Sequence, residues 1–358
     1  MSGTWGNKVQ LSIFGESHGK AIGIVIDGLE PGIELDLDFI NREMERRAPG
    51  RNKYSTQRNE KDSFEIVSGF FNGKTTGTPM CALIWNGNQH SKDYSKLKDV
   101  ARPGHADYTG FVKYKGFNDY RGGGHFSGRI TAPLVFAGAV AKQILRKKNI
   151  IIGSHILSIK NTKEEYFDKV NIDGETLTKL TEKKFPVLDD KVGEEMKKVI
   201  LEAKNNLDSV GGIIECCILN LPTGKGDPFF DSCESTLSHM LFSIPAVKGV
   251  EFGEGFNITK MNGSQANDDF YVEDGNVKTY SNNNGGILGG ITSGMPLVFR
   301  TAFKPTPSIY KPQKTINMKT KENTEISIEG RHDPCIVLRA VPVVEAAAAL
   351  AVLDIILR

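Results

Sequence analysis

The chain has 358 residues, 25% of them charged and 39% hydrophobic, with 45 Lys and Arg against 43 Asp and Glu. A formal balance of +2 lacks the marked basic excess of a nucleic-acid binder, so any anion site must be local. Five cysteines without a CxxC pair exclude a zinc or disulfide framework and fit a reducing cytoplasm.

The opening segment, MSGTWGNKVQLSIFGESHG, lacks the basic start and apolar core of a signal peptide. Ala21–Leu29 reads as a strand. The helix over DLDFINREMERR (36–47) has an acid near its start, a Phe39/Ile40/Met44 stripe and Pro49-Gly50 to stop it. Strands follow at Phe64–Ser68 and Met80–Trp85. Thr131–Lys147 is a nearly all-apolar helix with Thr131 as its expected cap and Pro133 in its first turn. Strands at Ile150–Ile159, Ile213–Leu221 and Pro296–Phe303 are rich in β-branched residues and bounded by turn formers. Asn161–Lys198, rich in Lys and Glu, is expected to be peripheral, and Asp190–Leu207 to be an amphipathic helix. Polar, asparagine-rich Gly263–Gly286 is expected to be a surface loop. Val341–Leu357 is the most apolar stretch, but it carries Glu345 and Asp354 and predicts a buried helix rather than a membrane span.

Strands and helices do not alternate regularly, which predicts an α+β fold with mainly antiparallel sheets. No linker composition divides residues 1–358, so a single domain is expected. One internal echo stands out. AIGIVIDGLEPG and IIECCILNLPTG are both strands that leave through a Leu/Pro/Gly turn, as a duplicated sheet would produce.

Four of the seven histidines lie in glycine- or arginine-dense sequence: His18 in GESHG, His105 in RPGHAD, His125 in RGGGHFSGR and His332 in GRHDPC. A titratable group near neutrality on flexible backbone is the raw material of proton transfer, although each is also compatible with an ordinary loop. Arg42, Arg46, Arg47 and Arg51 cluster at the end of a helix, with Lys53 and Arg58 beyond. Such cations either favour the helix dipole or line a pocket. Arg102, Arg121, Arg129 and Arg331 each flank a Gly or Pro turn close to a histidine or the glycine run. Together they describe a pocket for a small polyanion. Gly122–Gly124, Ser127, Arg129 and the helix start at Thr131 form an anion cradle, without a Walker loop or a dinucleotide fingerprint. A metal site at His18, His105, Asp107, His332 and Asp333 is disfavoured, because no ligand spacing supports it and the arginines repel a cation. GESHG is also not the GxSxG nucleophile elbow.

FGESHG (14–19), RRAPGRNKYSTQR (46–58), RPGHADYT (102–109), YRGGGHFSGRITA (120–132), VKGVEFGEGF (247–256), GGILGGITSG (285–294), KPTPSI (304–309) and GRHDPC with RAVPVVEA (330–346) resemble chorismate synthase, in order along the chain. The resemblance implies a β-α-β sandwich, helices between antiparallel sheets, assembled as a homotetramer. It implies anti-1,4 elimination of phosphate from 5-enolpyruvylshikimate 3-phosphate, with reduced FMN and no net redox change. Substrate anions would be held by Ser17, Arg47, Arg102, Ser127, Arg129 and Arg331. Lys53 stands where the family commonly has arginine, and Arg51 is an alternative for that role. His18 resembles the acid at the departing phosphate, His105 the histidine that protonates or polarises reduced flavin, and Asp333 the base that takes the proton from flavin N5. FMN would lie along His125, Phe126 and Ser127, near Pro245 and Ala246, against Gly289, along Lys304, Pro305, Thr306, Pro307 and Ser308, and reach Arg331. The chain has little room for the insertions of members that reduce their own flavin with NADPH, so reduced FMN is expected from an external flavin reductase. No nucleic-acid or membrane partner is expected. The alternative is a non-catalytic flavin- or anion-binding protein on the same scaffold.

Overall fold

In the strand Ala21–Asp27, Ile22, Ile24 and Ile26 are buried in period two, and in Met80–Trp85 the same is true of Met80, Ala82 and Ile84. One face of this sheet therefore carries the core. The structure is a computed structural model that describes residues 3–50, 54, 62–87, 98–328 and 332–358. Strands β1 (Thr4–Trp5), β2 (Gln10–Gly15), β3 (Ala21–Asp27), β4 (Phe64–Ser68) and β5 (Met80–Trp85) form an antiparallel sheet in the order β1-β2-β3-β5-β4. A second antiparallel sheet joins β6 (Ile151–Ile159), β7 (Thr162–Lys163), β8 (Gly212–Leu219), β9 (Val247–Phe252) and β10 (Leu297–Phe303) in the order β9-β10-β8-β6-β7.

The helices are α1 (Leu37–Arg47), α2 (Asp107–Lys113), α3 (Thr131–Arg146), α4 (Gly174–Glu182), α5 (Asp190–Asn205), α6 (Cys233–Ser243) and α7 (Val337–Leu357). Helices α1, α3, α6 and α7 lie between the two sheets, giving the β-α-β sandwich. Asp36 caps α1, its carboxylate accepting from Phe39 N at 2.9 Å. At the centre α3 crosses α7 so closely that a Cβ on Gly138 would stand 2.2 Å from Ala346 Cβ. Small residues set that approach. Helix α7 has the length and apolarity of a membrane span, yet it is buried along most of its length, with Glu345 and Asp354 at 0% exposure.

The internal echo corresponds to a repeat of the whole half. The order β-β-α-β-β-α runs through β2-β3-α1-β4-β5-α3 and again through β6-β8-α6-β9-β10-α7. Sheet order repeats as well, β2-β3-β5-β4 and β6-β8-β10-β9. The edge strands even share an irregularity, since β4 carries Val67 as an extra residue and β9 carries Lys248. The two echoing segments are β3 and β8, the middle strand of each sheet.

The structure adds detail to three local expectations. The N-cap position of α3 is Ile130 with no side-chain cap, and Thr131 instead donates its hydroxyl to Gly128 O at 2.7 Å. Residues 161–198 cover the outer face of the second sheet, where Phe167, Leu177 and Leu180 bury against Cys217, Leu219 and Val298. That cover explains why β6 and β8 are buried on both faces, with His155 and Glu215 at 0% exposure bonded to each other within the sheet. Residues 263–286 contain a hairpin, Phe270–Glu273 with Asn276–Thr279, and end in buried Asn282 and Asn283.

The helix layer also encloses charge. Glu345 accepts from Arg46 at 2.6 Å, Lys142 at 2.5 Å and Ser154 at 2.8 Å, while Lys142 also donates to Glu43 at 2.6 Å. Burial alone would raise the Glu345 carboxyl, but Arg46 and Lys142 outweigh it and hold it down at about 2; Glu43 is lowered for the same reason. A depressed carboxyl stabilises the fold above its unfolded value of 4.5 and loses that contribution as pH falls toward 2. Glu345→Gln should therefore cost roughly 3 kcal/mol at neutral pH and flatten the acid limb of stability, measured by denaturant unfolding against pH. An acid limb as steep as that of the native protein would exclude the cluster as its source.

Candidate active site

Gly122, Gly123 and Gly124 adopt φ of +60°, +88° and +54° in a tight turn over Arg121–Phe126. A Cβ on Gly122 would stand 2.2 Å from His18 Cε1 and Nδ1, one on Gly123 3.0 Å from His105 Cε1, and one on Gly124 2.1 Å from Asp119 O. The bare backbone makes room for two histidines as well as the turn.

Each histidine is held by a neighbour. Ser17 Oγ donates to Arg121 O at 3.2 Å and lies 3.1 Å from His18 Nδ1. A hydroxyl has one proton, so His18 Nδ1–H donates to Ser17. His105 Nδ1 lies 2.7 Å from Asp107 Oδ1, and Arg102 bonds the same carboxylate through Nε at 2.7 Å and Nη2 at 2.8 Å. Burial would raise the Asp107 carboxyl, but the bonds from Arg102 and His105 hold it well below the usual range. As an ionised carboxylate it only accepts, which fixes the His105 proton on Nδ1.

The arginines of α1 separate by helical phase. Arg42 pairs with Asp36 at 3.5 Å on the surface, Arg46 enters the helix layer, and Arg47 reaches the cavity wall at 2% exposure. Arg47 donates to Thr131 Oγ1 at 3.2 Å, to Gly128 O at 3.0 Å and to Asp62. Arg129 donates to the other oxygen of Asp62 and to Asn86 Oδ1 at 3.2 Å. Burial, together with the like charges of Arg339 and Arg129, outweighs Asp62 and pulls Arg47 down to about 10. Asp333 accepts from Arg339 Nη1 at 2.5 Å, and Arg339 Nε also donates to Arg47 O at 3.1 Å. Arg121 pairs with Asp119 at 2.7 Å, half-exposed, rather than offering an open fork.

His18, His105, Arg47, Arg102, Arg129, Asp62, Asp333 and Arg339 line one cavity of about 1810 Å³ along the seam between the two repeats. Of the expected site residues, Ser17, His18, Arg47, Arg102, His105, His125, Phe126, Ser127, Arg129, Pro245, Ala246, Lys304, Thr306, Pro307, Ser308 and Asp333 line it. Pro305 is exposed beside it, outside the lining. Gly289 stands apart: it turns the hairpin Ile287–Thr292, whose Gly290 O accepts from Cys233 N at 2.9 Å at the start of α6. Lys53, Arg51 and Arg331 lie outside the described residues. Permanent cations in the described lining are Arg47, Arg102, Arg129, Lys248, Lys304 and Arg339, against the carboxylates Asp62 and Asp333. The cavity is built for an anion of high charge.

A family model described as chorismate synthase matches residues 9–357. The chain belongs to the chorismate synthase family. Chorismate synthases of Methanocaldococcus jannaschii and Cytophaga hutchinsonii are 46% and 47% identical to it, over 99% and 100% of this chain and 96% and 98% of theirs. A crystal structure of chorismate synthase superposes with a TM-score of 0.77 at 30% identity, covering 99% of this chain and 93% of that one. The chorismate synthase family is one of carbon–oxygen lyases in the shikimate pathway.

In this member of the chorismate synthase family, the sequence alone does not single out Asp62 or Arg339, and it brings up Asp107 only within the disfavoured metal site. The flavin expected by resemblance also has a physical counterpart. Thr306 Oγ1 is buried without a hydrogen-bond partner and lines the cavity, between Lys304 and nearly buried Ser308. A phosphate at that position would supply the missing acceptor.

Proposed function

We propose that this protein is a chorismate synthase that converts 5-enolpyruvylshikimate 3-phosphate to chorismate by anti-1,4 elimination with reduced FMN. The observation that carries the reading is the convergence of two positioned histidines and Asp333 on one arginine-rich cavity. In the reaction a ring proton leaves from C6 and its C–H pair forms the C6=C1 double bond; the ring's C1=C2 pair moves to C2=C3, and phosphate departs from C3 with the C–O electrons, leaving a conjugated diene. The arginine set balances the two carboxylates and the phosphate of the substrate. His18, hydrogen-bonded through Nδ1 to Ser17, is the acid beside the departing phosphate. His105, with Nδ1 on Asp107, is the group that protonates or polarises the cofactor. Asp333, held by Arg339, is the carboxylate on which the abstracted proton finally resides. Reduced FMN, when bound, would supply transient electron density that eases phosphate departure without net oxidation. Its phosphate would be held by Lys304, Thr306 and Ser308, and Arg331 would be shared between the flavin and the substrate's anionic groups. We read the assembly as a homotetramer, in which exposed side chains such as the neighbouring Phe229 and Phe230 would be covered. A cytoplasmic location with FMN reduced by a separate reductase completes the reading.

Purified protein given substrate and chemically reduced FMN without oxygen should form chorismate with no NADPH present. Failure to form chorismate would overturn the reading, and in a parallel anaerobic reaction supplied with NADPH, one nicotinamide oxidised per turnover would overturn the redox-neutral mechanism.

A further inference from the structure

Among the described residues, Asp62 is a buried carboxylate bonded to two cavity arginines at once, Arg47 from the end of α1 and Arg129 from the turn before α3. It lies just ahead of β4, so its backbone leads straight into a sheet strand. Its charge cancels half of what that arginine pair would present. Arg129 and Arg339 both add positive charge beside Arg47, and Arg339 also binds Asp333. A small anion arriving at this pair must compete with a carboxylate already in contact, tethered to the same chain. A ligand with further anionic groups, anchored on Arg102, Arg339 or Lys304 across the cavity, gains the same intramolecular advantage.

We propose that Asp62 is a specificity-determining residue that masks the Arg47–Arg129 pair against small anions and leaves it accessible to a ligand with several anionic groups. This inference rests on the polyanion reading of the cavity given above.

Inorganic phosphate is the probe, titrated calorimetrically into the protein without substrate or flavin. Asp62→Asn removes the charge and keeps the size, and phosphate should bind about tenfold or more tightly than to the native protein. Asp62→Glu keeps the mask and should stay within about threefold of native. Asn at a buried pair can prevent folding, so Arg47→Met/Asp62→Asn provides a second route: it restores the native net charge while leaving Arg129 without its carboxylate. Tighter phosphate binding in this double variant supports local masking; native-like binding overturns it. In turnover, the folded Asn variant should show phosphate as a correspondingly stronger competitive inhibitor. An Asn variant that binds phosphate no better than native, or a Glu variant that binds as well as Asn, also overturns the proposal. The titration needs no catalysis, so a protein that forms no chorismate but shows the phosphate effect loses the functional reading and keeps the mask.

Discussion

Asp333→Asn should leave substrate and FMN bound with nearly native affinity while turnover falls by about a hundredfold or more, the range of a positioned general base. Asn retains the shape of Asp and an oxygen that can accept from Arg339 Nη1, the partner at 2.5 Å. It has no carboxylate to take up a proton. The backbone geometry is preserved because residue 333 precedes Pro334 and is set outside any helix, four residues before α7 begins. Anaerobic single-turnover kinetics and flavin titration separate the two effects. Normal turnover would remove Asp333 from the mechanism, and loss of flavin binding would make it part of the cofactor site's framework.

The second large effect comes from a residue with no chemistry of its own. Gly122→Ala should cost on the order of a hundredfold in rate, as much as losing the general acid His18. The new methyl would stand 2.2 Å from the His18 ring and 2.6 Å from Ser17 Oγ, so the pair must leave its position. The left-handed φ of +60° adds only about 1–2 kcal/mol of strain, which the fold should survive. A double-mutant cycle tests this directly. If Gly122→Ala acts by expelling His18, adding it to His18→Ala should cost nothing more in rate. Full additivity would mean that the glycine serves something other than the histidine.

Much of this was legible along the chain because the relevant signals are local. β3 and β5 announce themselves by Ile22/Ile24/Ile26 and Met80/Ala82/Ile84, and α1 by its apolar stripe and its stop at Pro49-Gly50. His18 and His105 stood out because glycine and arginine around them have no packing purpose. What stayed hidden depends on contacts between distant parts of the chain. Asp62 carries no local cue, since its partners Arg47 and Arg129 are 15 and 67 positions away. Arg339 lies just ahead of the apolar run at Val341–Leu357, and its bonds to Asp333 and Arg47 O depend on the fold. The triple glycine was read as an approach for a ligand, whereas the nearest atoms to two of its three positions belong to histidines. One signal was present and passed over: Asp274-Gly275, both at positive φ, is the two-residue turn that joins Phe270–Glu273 to Asn276–Thr279. The polar composition around it obscured the hairpin.

Helix α7 is made from residues 337–357 but occupies the middle of the molecule, where α1, α3 and α6 all lean on it. During synthesis the first repeat therefore emerges with the apolar side of α3 uncovered, and more than half the chain is made before the element that covers it. A ribosome that stops early releases a polypeptide lacking its centre rather than one short of an edge. Such a fragment would expose the apolar sides of α1, α3 and α6 that α7 covers and bind chaperones or aggregate. It would also lack the Arg339 that steadies Asp333, so incomplete chains should be silent rather than partly active.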